Sequence, residues 1–247
     1  MCSIKAYPYL YLLIISVFFF NSSQHLSAQN IILPNDKTNF LSTQKASLED
    51  TISIRSKINF PYIIGYNYSP YTNEINNPYF KENKWLKGSL VFNGKSYNID
   101  GLKYDIMIDN LIILFNNNDM SINYIALDEN FITEFTLQNS KFRFFNNLKN
   151  SSDKKINAGY FEVVYDGKLK FLVRSEKYKT LNDYTLSTQM FLLKDGVIIN
   201  VNNMGKLTNL LKDKEKLVKD FIINNSLTLN QSNYSAISKI LKFYESL

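Results

Sequence analysis

The stretch GSLVFNGKSYNIDGLKYDIMIDNLIILF, Gly88 to Phe115, holds the turn-forming pairs Asn93-Gly94, Asp100-Gly101 and Asp109-Asn110 at intervals that fit short strands. Asn and Gly accept the positive φ of tight hairpin turns, so each pair reads as a two-residue turn and the stretch as a four-stranded antiparallel meander. Pairing then sets Phe92 opposite Lys95, Leu90 opposite Tyr97, Ile99 opposite Leu102 and Tyr97 opposite Tyr104. It also sets Ile108 opposite Leu111, Ile106 opposite Ile113 and Tyr104 opposite Phe115. Directly paired residues share a face. One face therefore collects Leu90, Phe92, Tyr97, Ile99, Leu102, Tyr104, Ile106, Ile108, Leu111, Ile113 and Phe115, with Lys95 as its charge. The other begins polar, with Ser89, Ser96, Asn98, Lys103 and Asp105, and turns apolar at Met107, Ile112 and Leu114. A slip of one residue inverts the two faces, so agreement among the turns fixes the parity of the register.

Strand signals continue downstream. Met120, Ile122 and Tyr124 alternate with polar residues up to Ala126, Phe131 to Leu137 alternates again, and Lys141 to Phe145 forms a further short run. The polar run Asn146 to Asn157 reads as a loop. Asp166-Gly167 joins Tyr160–Tyr165 to Lys168–Arg174, predicting Val164 opposite Leu169 and Val163 opposite Lys170. Asp195-Gly196 joins Tyr184–Lys194 to Val197–Val201. After Gly205 the period becomes helical: Leu207, Leu210, Leu211, Leu217, Val218, Phe221 and Ile222 form one stripe, with Lys212 to Lys216 as a solvated middle. Tyr234, Ile237, Ile240, Leu241 and Tyr244 form a second behind Asn230 or Ser232 as cap. Upstream, Phe60 to Phe80 is rich in tyrosine and broken by Pro61, Pro70 and Pro78, which predicts a structured loop or short strands packed on the sheet.

The expected fold is mainly β (α+β), an antiparallel meander sheet or partly closed barrel with two C-terminal helices. Residues 1–28 read as a secretory signal, with Lys5, the apolar run Tyr9 to Phe20, and Leu26-Ser27-Ala28 before Gln29. Residues 29–57 read as a loose lead-in, 58–204 as the β domain and 205–247 as a helical pair packed on it. The apolar run is about 12 residues, short of the ~20 a membrane span needs, so the expected mature chain has no transmembrane segment.

Removal of residues 1–28 takes away Cys2 and His25, the only cysteine and histidine of the chain. The expected mature chain thereby lacks a disulfide, a thiol nucleophile, a histidine base and any imidazole or thiolate metal site. An exported chain without disulfides fits a bacterial periplasm or cell surface. The basic excess is almost all lysine, the arginines being Arg55, Arg143 and Arg174. With the abundant Asn and Ile, it reads as codon bias rather than as a nucleic-acid surface.

Asn77-Pro78-Tyr79-Phe80, Trp85 to Gly88, Leu102-Lys103-Tyr104-Asp105, Phe161 to Lys168 and a final helix with Phe243-Tyr244 together resemble an uncharacterised family of exported proteins of Gram-negative bacteria. The resemblance covers roughly Asn77 to Leu247, with Asn77 where a small residue is expected before the proline. It implies export and a β-rich fold and supplies no catalytic residue.

Candidate chemistry is sparse. Tyr79, Phe80 and Trp85 with Tyr62, Tyr66, Tyr68 and Tyr71 read either as a sugar-stacking platform or as core rings clasping a loop. Paired carboxylates need a separation of about 5 to 9.5 Å. Asp105 and Asp109, four residues apart on one strand, are too distant, Asp128-Glu129 sits in a turn, and Glu134 and Glu162 are isolated. Ser-x-x-Lys at Ser42, Ser151 and Ser152 lacks its companion motifs, and Asn116 to Asp119 with Asp128 lacks a calcium loop's spacing. No catalytic residue, metal or cofactor is expected, and the candidate binding residues are Tyr79, Trp85 and Tyr104. The expected function is a non-enzymatic exported binding or envelope-accessory protein, whose partner is a cell-envelope protein or a small ligand. Its alternatives are a small-ligand carrier with a cavity lined by Tyr97, Tyr104 and Phe115, and a carboxylate-dependent glycan hydrolase.

Overall fold

Twelve strands build one sheet in the computed structural model, which describes residues 60–71, 77–116, 122–150, 152, 154–181, 183–229 and 234–247. The expected signal segment and lead-in, Met120, and the cap residues Asn230 and Ser232 lie outside the described residues. The strands are β1 (Gly65–Asn67), β2 (Leu86–Phe92), β3 (Lys95–Asp105), β4 (Asn110–Asn116), β5 (Ile122–Leu127), β6 (Ile132–Leu137), β7 (Ser140–Phe145), β8 (Lys149–Asn150), β9 (Gly159–Asp166), β10 (Lys170–Lys179), β11 (Tyr184–Lys194) and β12 (Val197–Asn200). They lie in the order β1-β5-β4-β3-β2-β6-β7-β9-β10-β11-β12-β8, antiparallel except for the parallel pair β12–β8. Helices α1 (Met204–Leu210), α2 (Glu215–Asn224) and α3 (Ser235–Ser246) follow. The fold is mainly β with C-terminal helices, and the sheet does not close into a barrel.

Two of the expected hairpins form as read. Asn93 and Gly94 have φ of 48° and 74°, and Asp195 and Gly196 have φ of 50° and 78°, the doubly positive φ that lets a two-residue turn follow strand twist. Phe92 pairs with Lys95 and Leu90 with Tyr97. The other turn pairs behave differently. Asp100-Gly101 does not reverse the chain: β3 runs straight through it, with Gly88 opposite Ile99 and Leu86 opposite Leu102. The extra residue is absorbed as a bulge, so Ile99 does not face Leu102 and Tyr97 does not face Tyr104.

Asp109-Asn110 is not a two-residue turn either. The Asp105 carboxylate accepts the amides of Met107 (3.0 Å) and Ile108 (3.3 Å), ending β3 early in a loop over Ile106 to Asp109. Tyr104 consequently pairs with Leu111 rather than Phe115. That displacement is even, so Leu102, Tyr104, Leu111 and Ile113 keep their common face, whereas Ile108 turns into a different core. At Asp166-Gly167 the turn lengthens to Gly167-Lys168-Leu169, with Lys170 opposite Asp166. Glu245 of α3 decides this: its carboxylate accepts the Leu169 amide (2.7 Å) and the Tyr165 hydroxyl (2.9 Å).

The sheet curls strongly. Tyr104 on β3 and Tyr160 on β9 are four strand spacings apart, ~19 Å in a flat sheet, yet their ring centroids are 6.1 Å apart. Phe135, Phe142 and Phe80 fill the space between, with Phe135 stacked on Phe142 at 4.6 Å. At the open seam the Lys177 amide of β10 donates to the Ile106 carbonyl (3.2 Å) beyond the end of β3. The helices cover a second core on β10 and β11, where Phe171, Val173, Met190 and Leu192 meet Leu207, Leu211, Val218, Ile237, Ile240 and Leu241. The first helical stripe comes as two helices, α1 and α2, joined by a 3-10 turn over Lys212–Lys214. That basic turn docks on the end of α3, where Lys214 Nζ donates to the Tyr244 carbonyl (3.2 Å).

Candidate functional site

The aromatic candidates do not share a surface. Tyr104 is 3% exposed in the ring-filled core, and Tyr79, 1% exposed, belongs to a separate core with Tyr66, Tyr68, Ile108 and Ile112. Trp85 is half-buried, parallel to Tyr124 at 5.6 Å, and the Lys103 ammonium lies 4.5 Å from the centroids of both Trp85 and Tyr79. These rings clasp the segment ahead of β2 onto the sheet. Nearby, Tyr62 packs on Tyr97 (5.0 Å) and Tyr68 on Tyr71 (6.3 Å).

A cleft of about 600 Å³ opens instead between the ring-filled core and the helix-covered core. Both cores lie on one face of the sheet: Phe142 pairs with Glu162, and Glu162 with Val173, so this row crosses from one core to the other. On β10 and β11 the same parity continues past Val173–Met190 to Ser175 opposite Thr188 and Lys177 opposite Leu186. The face is apolar under the helices and becomes polar where they stop. Tyr234, the residue before α3, lines one side with Ser235 and Ser238, and Phe80, Lys81, Asn139 of the β6–β7 turn and Ser140 at the start of β7 line another. A bulge at Val164 frees its carbonyl to accept the Ser238 hydroxyl (3.0 Å), which fixes that helical turn over the cleft.

Lys81 has φ of 61°, a left-handed conformation that costs a side-chain-bearing residue roughly 1–2 kcal/mol. It brings the ammonium to Ser140 Oγ (3.0 Å), 4.8 Å from the centre of the Phe80 ring. Lys177 donates to the carbonyls of Asn77 (2.7 Å) and Tyr79 (2.8 Å). Burial lowers its proton affinity, opposed by Asp105 and Asp183. Lys141, the third lysine lining the cleft, pairs with Glu134 (2.8 Å). Glu162 is the carboxylate among the lining residues, and the Tyr234 phenol is pushed up to about 12, mainly by burial and then by Glu162.

No known protein family, curated protein or solved structure matches this chain. Its site is therefore defined by geometry alone. Among the described residues, no helix is long and apolar enough to cross a membrane.

Two buried acidic centres adjoin the cleft without opening into it. Asp105 is fully buried. Its carboxylate accepts the Tyr68 hydroxyl at 2.7 Å, and burial pushes its pKa up to about 6 against the opposing pull of Tyr68, two amides and Lys177. Asp109 accepts the Tyr104 hydroxyl (2.5 Å) and faces Arg174 at 3.8 Å. Arg174, 8% exposed, also binds Glu176 (2.7 Å) and the Asn157 carbonyl (2.6 Å). Asp105 and Asp109 thus serve separate networks rather than one acid–base pair. Glu134 is held by Arg143 and Lys141, Asp128 caps the 3-10 turn that follows it, and Asn117 to Asp119 lie outside the described residues.

Lys81, Lys177, Ser175 and Thr188 belong to no motif in the sequence. A signal for three of them was present: Phe171, Val173, Ser175 and Lys177 share one parity, as do Leu192, Met190 and Thr188, and each set turns from apolar to polar along its strand.

Proposed function

We propose that the protein is an exported, non-enzymatic binding protein that holds a small polar ligand in the cleft beside α3. The observation that carries this reading is the cleft itself, a space of about 600 Å³ walled by two packed cores and lined with lysines, serines and a threonine. That volume falls in the range of small-molecule sites, about 300–1,000 Å³. Export is supported by the signal-like residues 1–28. The binding role is favoured over hydrolysis because Glu162 stands as the single carboxylate among the lining residues, whereas glycoside hydrolysis takes two.

Filling the cleft tests the reading. Thr188→Trp places a ring on its floor, and a thermal-shift screen of the full chain against small polar metabolites should give stabilising ligands that this variant no longer responds to. Ligands that stabilise both proteins equally would place binding elsewhere. Export is tested by fusing residues 1–40 to alkaline phosphatase, which is active only after translocation; an inactive, intact fusion would remove the periplasm and the cell surface as locations.

A further inference from the structure

We propose that the ligand is an anionic, hydroxyl-bearing small molecule, an acidic or phosphorylated sugar, whose charged group sits between Lys81 and Lys177. This rests on the cleft being the ligand site. Lysines 81, 141 and 177 line it against Glu162, and Lys141 is already paired with Glu134. Lys81 and Lys177 donate to neutral oxygens, those of Ser140, Asn77 and Tyr79, and the carboxylates of Asp105 and Asp183 act on Lys177 through space without a direct hydrogen bond to its ammonium. Two ammonium groups satisfied by neutral acceptors at one cleft are matched by an incoming carboxylate or phosphate, because charge-assisted hydrogen bonds are the stronger ones.

The backbone of Lys81 supports the same reading. A lysine held in a left-handed conformation at a cleft wall is strain of the kind that collects at binding sites. Residues 79 and 81 also belong to one short segment, so Lys177, bound to the Tyr79 carbonyl, is tied to the segment that carries Lys81. The positive end of the α3 dipole adds in the same sense.

The remaining lining matches a polyol. Ser175 and Thr188 are a cross-strand pair of hydroxyl residues on the floor, Asn139 and Ser140 add polar groups to the lining, and the exposed Leu186 offers apolar surface to a ring face.

Titration calorimetry on the full chain with D-glucuronate, D-glucose 6-phosphate, D-glucose and inorganic phosphate tests the assignment. The variants are Lys81→Asn, which keeps a residue that accepts the left-handed conformation, and Lys177→Gln, which keeps a donor for the carbonyls. At least one anionic sugar should bind at least tenfold more tightly than glucose and inorganic phosphate. Each variant should weaken that binding at least tenfold, and added NaCl should weaken it for the parent chain. A preference for glucuronate or for glucose 6-phosphate then separates carboxylate from phosphate recognition. Glucose binding as tightly as the anionic sugars, with both variants unaffected but Thr188→Trp inactive, would overturn the anionic class and leave the cleft reading standing. Inorganic phosphate matching glucose 6-phosphate would overturn the sugar component. Absence of binding by all four probes would overturn this assignment, whereas loss of every Thr188→Trp-sensitive ligand from the wider screen is what would overturn the cleft reading.

Discussion

Replacing Asp105 by Asn should make stability less dependent on pH without disturbing the fold. In the folded chain the carboxyl is pushed from 3.8 up to about 6, chiefly by burial. The folded state therefore holds this proton more tightly than the unfolded chain does. The stabilisation from that proton is fully present below about pH 4, and it is lost as the pH rises through about 6. A gap of about two pH units at 1.36 kcal/mol each amounts to about 3 kcal/mol, an upper figure for a group in a coupled network. Asn keeps an oxygen for the Met107 and Ile108 amides, and it presents an NH₂ to the Tyr68 hydroxyl, which is 3.3 Å from the Tyr79 hydroxyl and can donate there. Urea unfolding at pH 4.0, 5.0 and 7.5, followed by fluorescence of the single tryptophan, Trp85, reads the difference. Asp105→Asn should equal or exceed the parent at pH 7.5, and its advantage should shrink by up to about 3 kcal/mol on going to pH 4.0. A pH-independent difference would refute the reasoning, because the carboxyl would then hold its proton equally in the folded and unfolded chains; a loss confined to neutral pH would refute it too, because the ionised carboxylate would then be the favoured buried form.

Other substitutions test the packing. Glu245→Ala removes the acceptor of the Leu169 amide and the Tyr165 hydroxyl, and should cost about 1–3 kcal/mol in urea unfolding while hydrogen exchange at Leu169 accelerates. Gly88→Ala would drive a Cβ into the Thr136 carbonyl oxygen, a backbone atom of the neighbouring strand. The β2–β6 ladder has to part, and the midpoint of urea unfolding should fall by the equivalent of at least about 2 kcal/mol. Arg174→Gln removes the guanidinium that faces buried Asp109 and pairs with Glu176, and should cost about 3–5 kcal/mol by the same assay.

What the sequence made legible was parity and fold class. Alternation placed Leu90, Leu102, Tyr104, Leu111 and Ile113 on one face, and they share one core. That inference survived even where the turns were misread, because the loop over Ile106 to Asp109 displaced the register by an even number of residues. Turn identity was less legible, since Asn-Gly, Asp-Gly and Asp-Asn all tolerate positive φ yet only some positions use it. Contacts from elsewhere decide among them. Asp105 takes two amides of its own loop, and Glu245 reaches the Leu169 amide from 76 residues away. The aromatic candidates misled for a related reason: Tyr79 and Tyr104 are large apolar bodies with one polar tip, and burial satisfies both parts once a hydroxyl or carboxylate meets that tip, as Tyr68 and Asp109 do here.

The cleft follows from a mismatch of lengths. The 10 residues of β10 extend ~33 Å, while the 12 residues of α3 extend ~18 Å. The helix-covered core takes in Phe171, Val173, Met190 and Leu192 of the two strands and stops there, so the sheet face beyond Val173 and Met190 lies outside it. A chain that had only to stay folded and soluble has two ready solutions there: a face of uniformly charged residues, or further strand twist that brings the ring-filled core against the helices. The chain does neither. Val173 and Met190 give way to Ser175 and Thr188, small hydroxyls that leave depth, and then to Lys177, whose ammonium ties the facing segment through two carbonyls and keeps a third N–H. That segment is held against the sheet by the Tyr79–Asp105 bridge and by the Lys103 ammonium at the Tyr79 and Trp85 rings. The buried Asp105 centre therefore carries its electrostatic cost while positioning one wall of the cleft. Weakening that clasp should loosen the wall before it unfolds the sheet, a distinction that hydrogen exchange at Phe80 and Ile106, whose amides donate to the Tyr104 and Pro78 carbonyls, can resolve.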